Sequence, residues 1–163
     1  IRRTRAFEIT YGYRVTNEVL DAFDPDDPFL NETLIGRFTG AVLLDRRDDP
    51  FDATRGWFGS ATAERVSEFR GGSDSIKLLG AMYYYRSLKG LTLASAVRLG
   101  GSFLDSLLFN EPFRVGGADT VRGYSEQGVG PKSLSGRPTG GNAQLILNQE
   151  VRAPIYGWLK GVA

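Results

Sequence analysis

The sequence predicts an all-β protein built from antiparallel strands. Three observations carry that reading. Apolar and polar residues alternate through most of the chain, and a strand sends every second side chain to the same face. Glycine is abundant, at 21 of 163 residues, and aromatics make up 12%, which suits strands and tight turns. No apolar run reaches the roughly 18 residues that a membrane-spanning helix needs.

Residues 1–16 form the first predicted strand. Phe7, Ile9, Tyr11, Tyr13 and Val15 share one parity; Glu8, Thr10, Gly12, Arg14 and Thr16 share the other. Residues 17–32 read as a long acidic loop. Its Asp24, Asp26 and Asp27 lack the glycine and terminal glutamate of a calcium loop, so it reads as solvated and no metal site is expected. Residues 33–45 are the second strand, with Leu34, Phe38, Val42 and Leu44 opposite Thr33, Arg37, Thr39 and Asp45. A turn follows, marked by Pro50 and Gly56.

Residues 56–68 are the third strand, with Trp57, Gly59, Ala61 and Ala63 opposite Phe58, Ser60, Thr62 and Glu64. A short RGGSD turn leads into the fourth, residues 75–87, whose alternation is poor. The run Tyr83-Tyr84-Tyr85 fits either an interfacial aromatic girdle or ordinary cross-strand packing. A tight hairpin at residues 88–90 leads into the fifth strand, residues 91–103. Residues 142–153 are the sixth: Leu145, Leu147 and Val151 oppose Asn142, Gln144, Asn148, Glu150 and Arg152. APIYG reads as a turn, and residues 158–163 begin a seventh strand.

Composition excludes several functions. The formal net charge is +1, so the chain is not a polybasic nucleic-acid binder, and no nucleic-acid partner is expected. Cysteine and histidine are both absent. That removes thiolate sites, the commonest general base and the commonest transition-metal ligand. No nucleophile–base pair and no phosphate-binding glycine loop is readable, so neither an enzyme nor a cofactor is expected.

Period two alone does not distinguish a soluble sandwich from a membrane barrel. Glu8, Arg14, Arg37, Glu64, Arg98 and Glu150 sit mid-strand on polar faces. Such faces meet water outside a sandwich or line a polar lumen. The clear apolar faces carry no mid-strand charge, as a lipid face requires. Six of the seven segments reach the roughly 10 residues of a tilted membrane strand.

The alternation stops at residues 105–139, far more than the about 2–5 residues of a hairpin loop. Its centre, PFRVGGADTVRGYSEQGVGP at residues 112–131, holds five glycines around Arg122. Gly116, Gly117 and Gly123 allow tight turns and close backbone approach. Gly130 and Pro131 punctuate the exit. The pattern favours a folded, inserted loop presenting Val121, Arg122 and Tyr124.

Three segments in a fixed order carry a family resemblance. They are LLDRRDDPFDATRGW at 43–57, the VRGY loop, and GGNAQLILNQEVRAP at 140–154. Together they resemble the BamA/TamA-type outer-membrane barrels of the bacterial surface antigen family, with the loop similar to the sixth extracellular loop. The resemblance covers most of the chain. It implies an antiparallel transmembrane β-barrel in the bacterial outer membrane, here a partial one of about seven strands. Complete bacterial barrels have even counts from eight upward. Residues 1–163 are therefore expected to be an internal piece, without the family's periplasmic POTRA domains or the first and last barrel strands.

The resemblance also implies roles. Arg122 would contact a glutamate on the next strand's inner face, which Glu150 matches, and an aspartate one strand later, beyond Ala163. Arginine's planar fork suits such carboxylates. Tyr124 would be a packing anchor in the lumen. Asp45, Arg47, Asp48, Pro50 and Gly56 belong to the second motif; by residue type alone they read as a charged periplasmic turn. The implied function is assisting insertion of β-barrel proteins, with a polypeptide-secreting pore of the same superfamily as the alternative. A passive porin or a soluble binding sandwich is the remaining class. Implied partners are outer-membrane lipids, unfolded outer-membrane or secreted polypeptides, and a periplasmic or inner-membrane protein reached through N-terminal domains.

Overall fold

The computed structural model describes residues 6–19, 32–69, 74–103, 112–118, 120–156 and 159–162. The acidic residues Asp24, Asp26 and Asp27 lie outside them. The strands are β1 (Ala6–Val19), β2 (Glu32–Asp45), β3 (Gly56–Glu68), β4 (Asp74–Leu88), β5 (Leu91–Phe103), β6 (Ala143–Tyr156) and β7 (Leu159–Val162). They form one antiparallel sheet in chain order, β1 to β7. Among the described residues β1 and β7 do not pair, so the sheet is an open section of a barrel.

The sheet's two faces bear on the choice that period two left open. Large apolar side chains are exposed rather than buried: Tyr11 is 80% exposed, and Leu145 and Leu147 are each 68% exposed. They belong to one continuous face with Phe38, Met82 and Leu99, and no second sheet covers it among the described residues. A soluble sandwich buries that face; a membrane barrel turns it to lipid. Charges on this face sit toward the strand ends, as an Arg65–Asp74 ion pair and as Arg86. A charge at mid-depth would cost about 2–4 kcal/mol.

The inner face is polar. Arg37 bonds Glu64 at 2.8 Å across β2 and β3. The few buried apolar side chains on this side include Ile35 and Val66, near one end of the sheet, and Ile146. The tyrosine run divides between the faces: Tyr84 is 45% exposed on the outer face, whereas Tyr83 and Tyr85 line the interior. Tyr83 packs on Phe58 with ring centroids 5.8 Å apart.

Antiparallel order puts the β1–β2, β3–β4 and β5–β6 connections at one end and the others at the opposite end. Lys89 and Gly90 close the β4–β5 hairpin at φ 49° and 85°. Both are left-handed, as a two-residue primed turn requires. Two strand ends differ from expectation. β1 runs on to Val19, into the expected 17–32 loop, because Asn17, Glu18 and Val19 still pair with Leu34, Thr33 and Glu32 of β2. APIYG does not turn the chain at Pro154; β6 continues to Tyr156, with a register shift between Pro154 and Tyr156. The β5–β6 ladder ends at the Thr92–Arg152 pair, so proline's missing N–H removes no bond to β5, and the irregularity on the β7 side absorbs it.

Candidate functional site: a loop on the inner face

Described residues 112–141 are folded by their own short ladder. Isolated bridges join Phe113 to Gly141, Val115 to Val129, Gly117 to Val121 and Lys132 to Pro138. The Pro131 carbonyl accepts from Thr139 through its N–H at 2.9 Å and its hydroxyl at 3.1 Å. Gly116 shows why glycine is needed. Its φ is +128°, and a Cβ there would stand 2.5 Å from the Ser125 carbonyl oxygen and 2.7 Å from the Gly128 nitrogen. No L side chain fits that conformation and space. Gly117, Gly123 and Gly130 also have positive φ, at 98°, 90° and 120°.

Three contacts seat the loop on the sheet. The first is apolar. Phe113 is 7% exposed and lies over Gly100 of β5, where a Cβ would come within 2.7 Å of its ring. The Lys77 ammonium sits 4.9 Å from the same ring's centroid, a cation–π distance. The second is a backbone grip. The Thr120 carbonyl accepts from Asn148 Nδ2 at 3.1 Å and from Arg98 Nη2 at 3.4 Å. The third is ionic. Arg122 Nη2 donates to Glu150 Oε1 at 2.9 Å, with the arginine side chain 69% exposed and the glutamate 23% exposed.

Glu150 has a second cation, since Arg152 Nη2 donates to its Oε2 at 3.2 Å. The Arg152 guanidinium in turn lies 5.7 Å from the Tyr85 ring centroid. An open cavity of about 560 Å³ separates this part of the loop from the sheet, lined among others by Tyr83, Arg98, Arg122, Glu150 and Arg152.

The structure therefore brings Arg122 and Glu150 together and places Val121 in the loop's ladder. Tyr124 is 61% exposed, and among the described residues the buried aromatic on the inner face is Phe113 instead. Sequence reasoning put Arg98, Asn148 and Arg152 on the polar face but gave them no partner. Thr120 acts through its main-chain oxygen, for which side-chain identity carries no signal.

The second motif lies at the opposite end, in the β2–β3 turn at residues 46–55. Arg47 donates to Asp45 through Nε at 3.0 Å and Nη2 at 2.6 Å, and through Nη1 to the Pro50 carbonyl at 3.0 Å. Asp48 Oδ1 accepts from the N–H groups of Asp49, Thr54 and Arg55 at 3.1, 3.0 and 3.0 Å, and Oδ2 from the Thr54 hydroxyl at 2.6 Å. Burial pushes the Asp48 carboxyl up, but these four bonds outweigh it and hold it at about 2. The bonds Arg47 donates to the Asp45 carboxylate raise the Arg47 pKa further, against a smaller opposing effect of burial. Gly56 closes the turn at φ +105°. Phe51 is 99% exposed in this turn. Among the described residues no acidic cluster could hold a metal ion.

A comparison with curated proteins finds no match. The family model described as the Omp85 superfamily domain matches residues 4–162. That span takes in every strand, the inner-face loop and the hydrogen-bonded turn: the chain belongs to the Omp85 superfamily of outer-membrane assembly and translocation barrels.

Proposed function

We propose that this barrel assists the insertion of β-barrel proteins into the bacterial outer membrane, with the 112–141 loop as its working element. The observation that carries the reading is the loop's seat on the inner face, where Arg122 reaches Glu150 at 2.9 Å. A passive porin has no reason to hold Arg122 beside an inward glutamate, since its lumen has only to be polar and water-filled. Sheets can template an incoming strand by edge pairing, and an internal loop is placed to respond when the barrel wall changes shape. Its substrates in this reading are unfolded outer-membrane polypeptides, and its surroundings are outer-membrane lipids.

A second reading, a pore that secretes an extended polypeptide, is favoured by the polar inner face with its Arg37–Glu64 pair. The test is reconstitution of the full-length protein in liposomes. Faster folding of an added outer-membrane barrel substrate, lost in Arg122→Glu, is expected. Transfer of an unfolded polypeptide into the vesicle interior, with no effect on barrel folding, would replace the assembly reading with the secretion one.

A further inference from the structure

We propose that Arg98 and Asn148 are the positioning residues of the loop, and that their grip on the Thr120 carbonyl sets where Arg122 sits. The proposal rests on the loop being the working element. It differs from a reading in which the Arg122–Glu150 pair itself docks the loop.

The geometry is a closed triangle. Arg98 Nη2 donates to Asn148 Oδ1 at 3.0 Å and to the Thr120 carbonyl at 3.4 Å, while Asn148 Nδ2 donates to the same carbonyl at 3.1 Å. The asparagine amide uses its oxygen toward β5 and its nitrogen toward the loop, so its orientation is fixed at both ends. Arg98 and Asn148 are diagonal neighbours on the inner face, since Asn148 pairs with Ala96 and Arg98 with Ile146. Adjacent strands thus supply one donor each, and the carbonyl is held relative to the sheet itself.

Thr120 passes that position on. Its hydroxyl accepts from the Gly116 N–H at 2.8 Å, and its own N–H donates to the Gly117 carbonyl at 3.2 Å. One residue thereby ties the sheet to the tightest part of the glycine turn, two positions before Arg122. The three bonds of the triangle are part-buried, whereas the Arg122 side chain is 69% exposed. Removing a partner from a part-buried bond leaves a polar group that water reaches only in part. An exposed ion pair is weak and screened.

The test is hydrogen exchange followed by mass spectrometry on the full-length protein in lipid nanodiscs, without substrate. Peptides spanning residues 112–131 report the loop; those from β5, β6 and the 46–55 turn are the controls. Asn148→Asp keeps an acceptor for Arg98 but sets a carboxylate against the Thr120 carbonyl. Loop exchange should rise roughly fivefold to thirtyfold in Asn148→Asp and Arg98→Ala, with control peptides unchanged. Arg98→Lys should recover part of the protection, because an ammonium can keep one of the bonds. Arg122→Ala should change loop exchange less than either. Wild-type loop exchange in Asn148→Asp, or a larger release in Arg122→Ala than in Arg98→Ala, would overturn the proposal. Loosening of the β5 and β6 peptides together with the loop in Asn148→Asp would overturn it too, showing a wall-stability role. The readout needs no substrate, so it stands apart from the assembly-versus-secretion question.

Discussion

The 46–55 turn and the 112–141 loop are both long connections with several charged residues, at opposite ends of one sheet, yet they keep their shapes by different means. The turn is held largely from within. Asp48 takes four bonds from the turn itself, Asp49 Oδ1 takes two more from Phe51 and Asp52 at 2.7 and 3.1 Å, and Arg47 closes on Asp45 and Pro50. The loop has an internal ladder but takes its place from the sheet, through Gly100, Arg98, Asn148 and Glu150. A locally bonded element keeps its form whatever the barrel does. An element borrowing its contacts from two strands must respond when those strands move.

The largest effect that would sharpen this contrast comes from the apolar seat. Phe113→Ala removes a buried aromatic, a change that costs about 3–5 kcal/mol in a closed core. The low end is expected for a ring seated between a loop and one face of an open sheet. Limited proteolysis should show the loop cut faster and the turn unchanged. Equal loosening of both regions would break the contrast.

Next in size is Asp48→Ala. It deletes four acceptor bonds inside the turn, each charged-group bond contributing about 1.5–3 kcal/mol when its partners are shielded. Water can reach this turn, so a total near 2 kcal/mol is expected, read as faster amide exchange at residues 49–55 with the loop protected. The same carboxylate sets a pH dependence. Its folded pKa of about 2 lies below the ordinary 3.8. Its stabilisation is therefore complete above the ordinary value and is lost as pH falls from about 4 through about 2, roughly 1–2 kcal/mol in all. Turn exchange that does not change between pH 5 and pH 2, after correction for intrinsic rates, would count against this bonding pattern.

These two regions also differ in how far they were legible. Most strand faces, the existence of all seven strands and the hairpin at Lys89-Gly90 followed from alternation and turn residues, because those are local properties of the chain. An aspartate flanked by proline, threonine and glycine announces a turn, though not which N–H groups it collects. The VRGY loop announced itself by glycine spacing and by family resemblance, and that resemblance pointed to Glu150. Phe113 over Gly100 was invisible, since it joins positions whose closeness only the folded sheet creates. The Thr120 carbonyl was invisible because a main-chain oxygen has no letter in the sequence. Pro154 misled in the other direction: proline signals a strand end, yet here it falls where β6 has already lost its β5 partner.

A smaller effect is expected at Arg122. With its side chain 69% exposed, Arg122→Ala should cost no more than about 1 kcal/mol in stability. Unfolding in denaturant should hardly shift even if the assembly activity of the full-length protein falls. Arg122→Glu combined with Glu150→Arg should restore only part of any lost activity. The new arginine would stand beside Arg152, which now has Glu150 as a partner. Full recovery would show that Arg152 plays no part. The smallest change is Phe51→Ser in the turn. At 99% exposure it should alter stability by no more than about 0.5 kcal/mol, and a larger loss would mean that the turn is not self-sufficient.

Glu150 sits between two cations, and that makes detachment of the loop mild. A carboxylate with a single partner is stranded when the partner leaves, and in a shielded site the stranding can be several kcal/mol. Here Arg152 donates to the same carboxylate at 3.2 Å from the same strand, through a contact that does not involve the loop. The wall keeps its own neutralising group in reserve, so Arg122 can let go and return without an orphaned charge opposing the motion. The contact has the character of a latch that opens at low cost, leaving the bonds at Thr120 to carry the holding force.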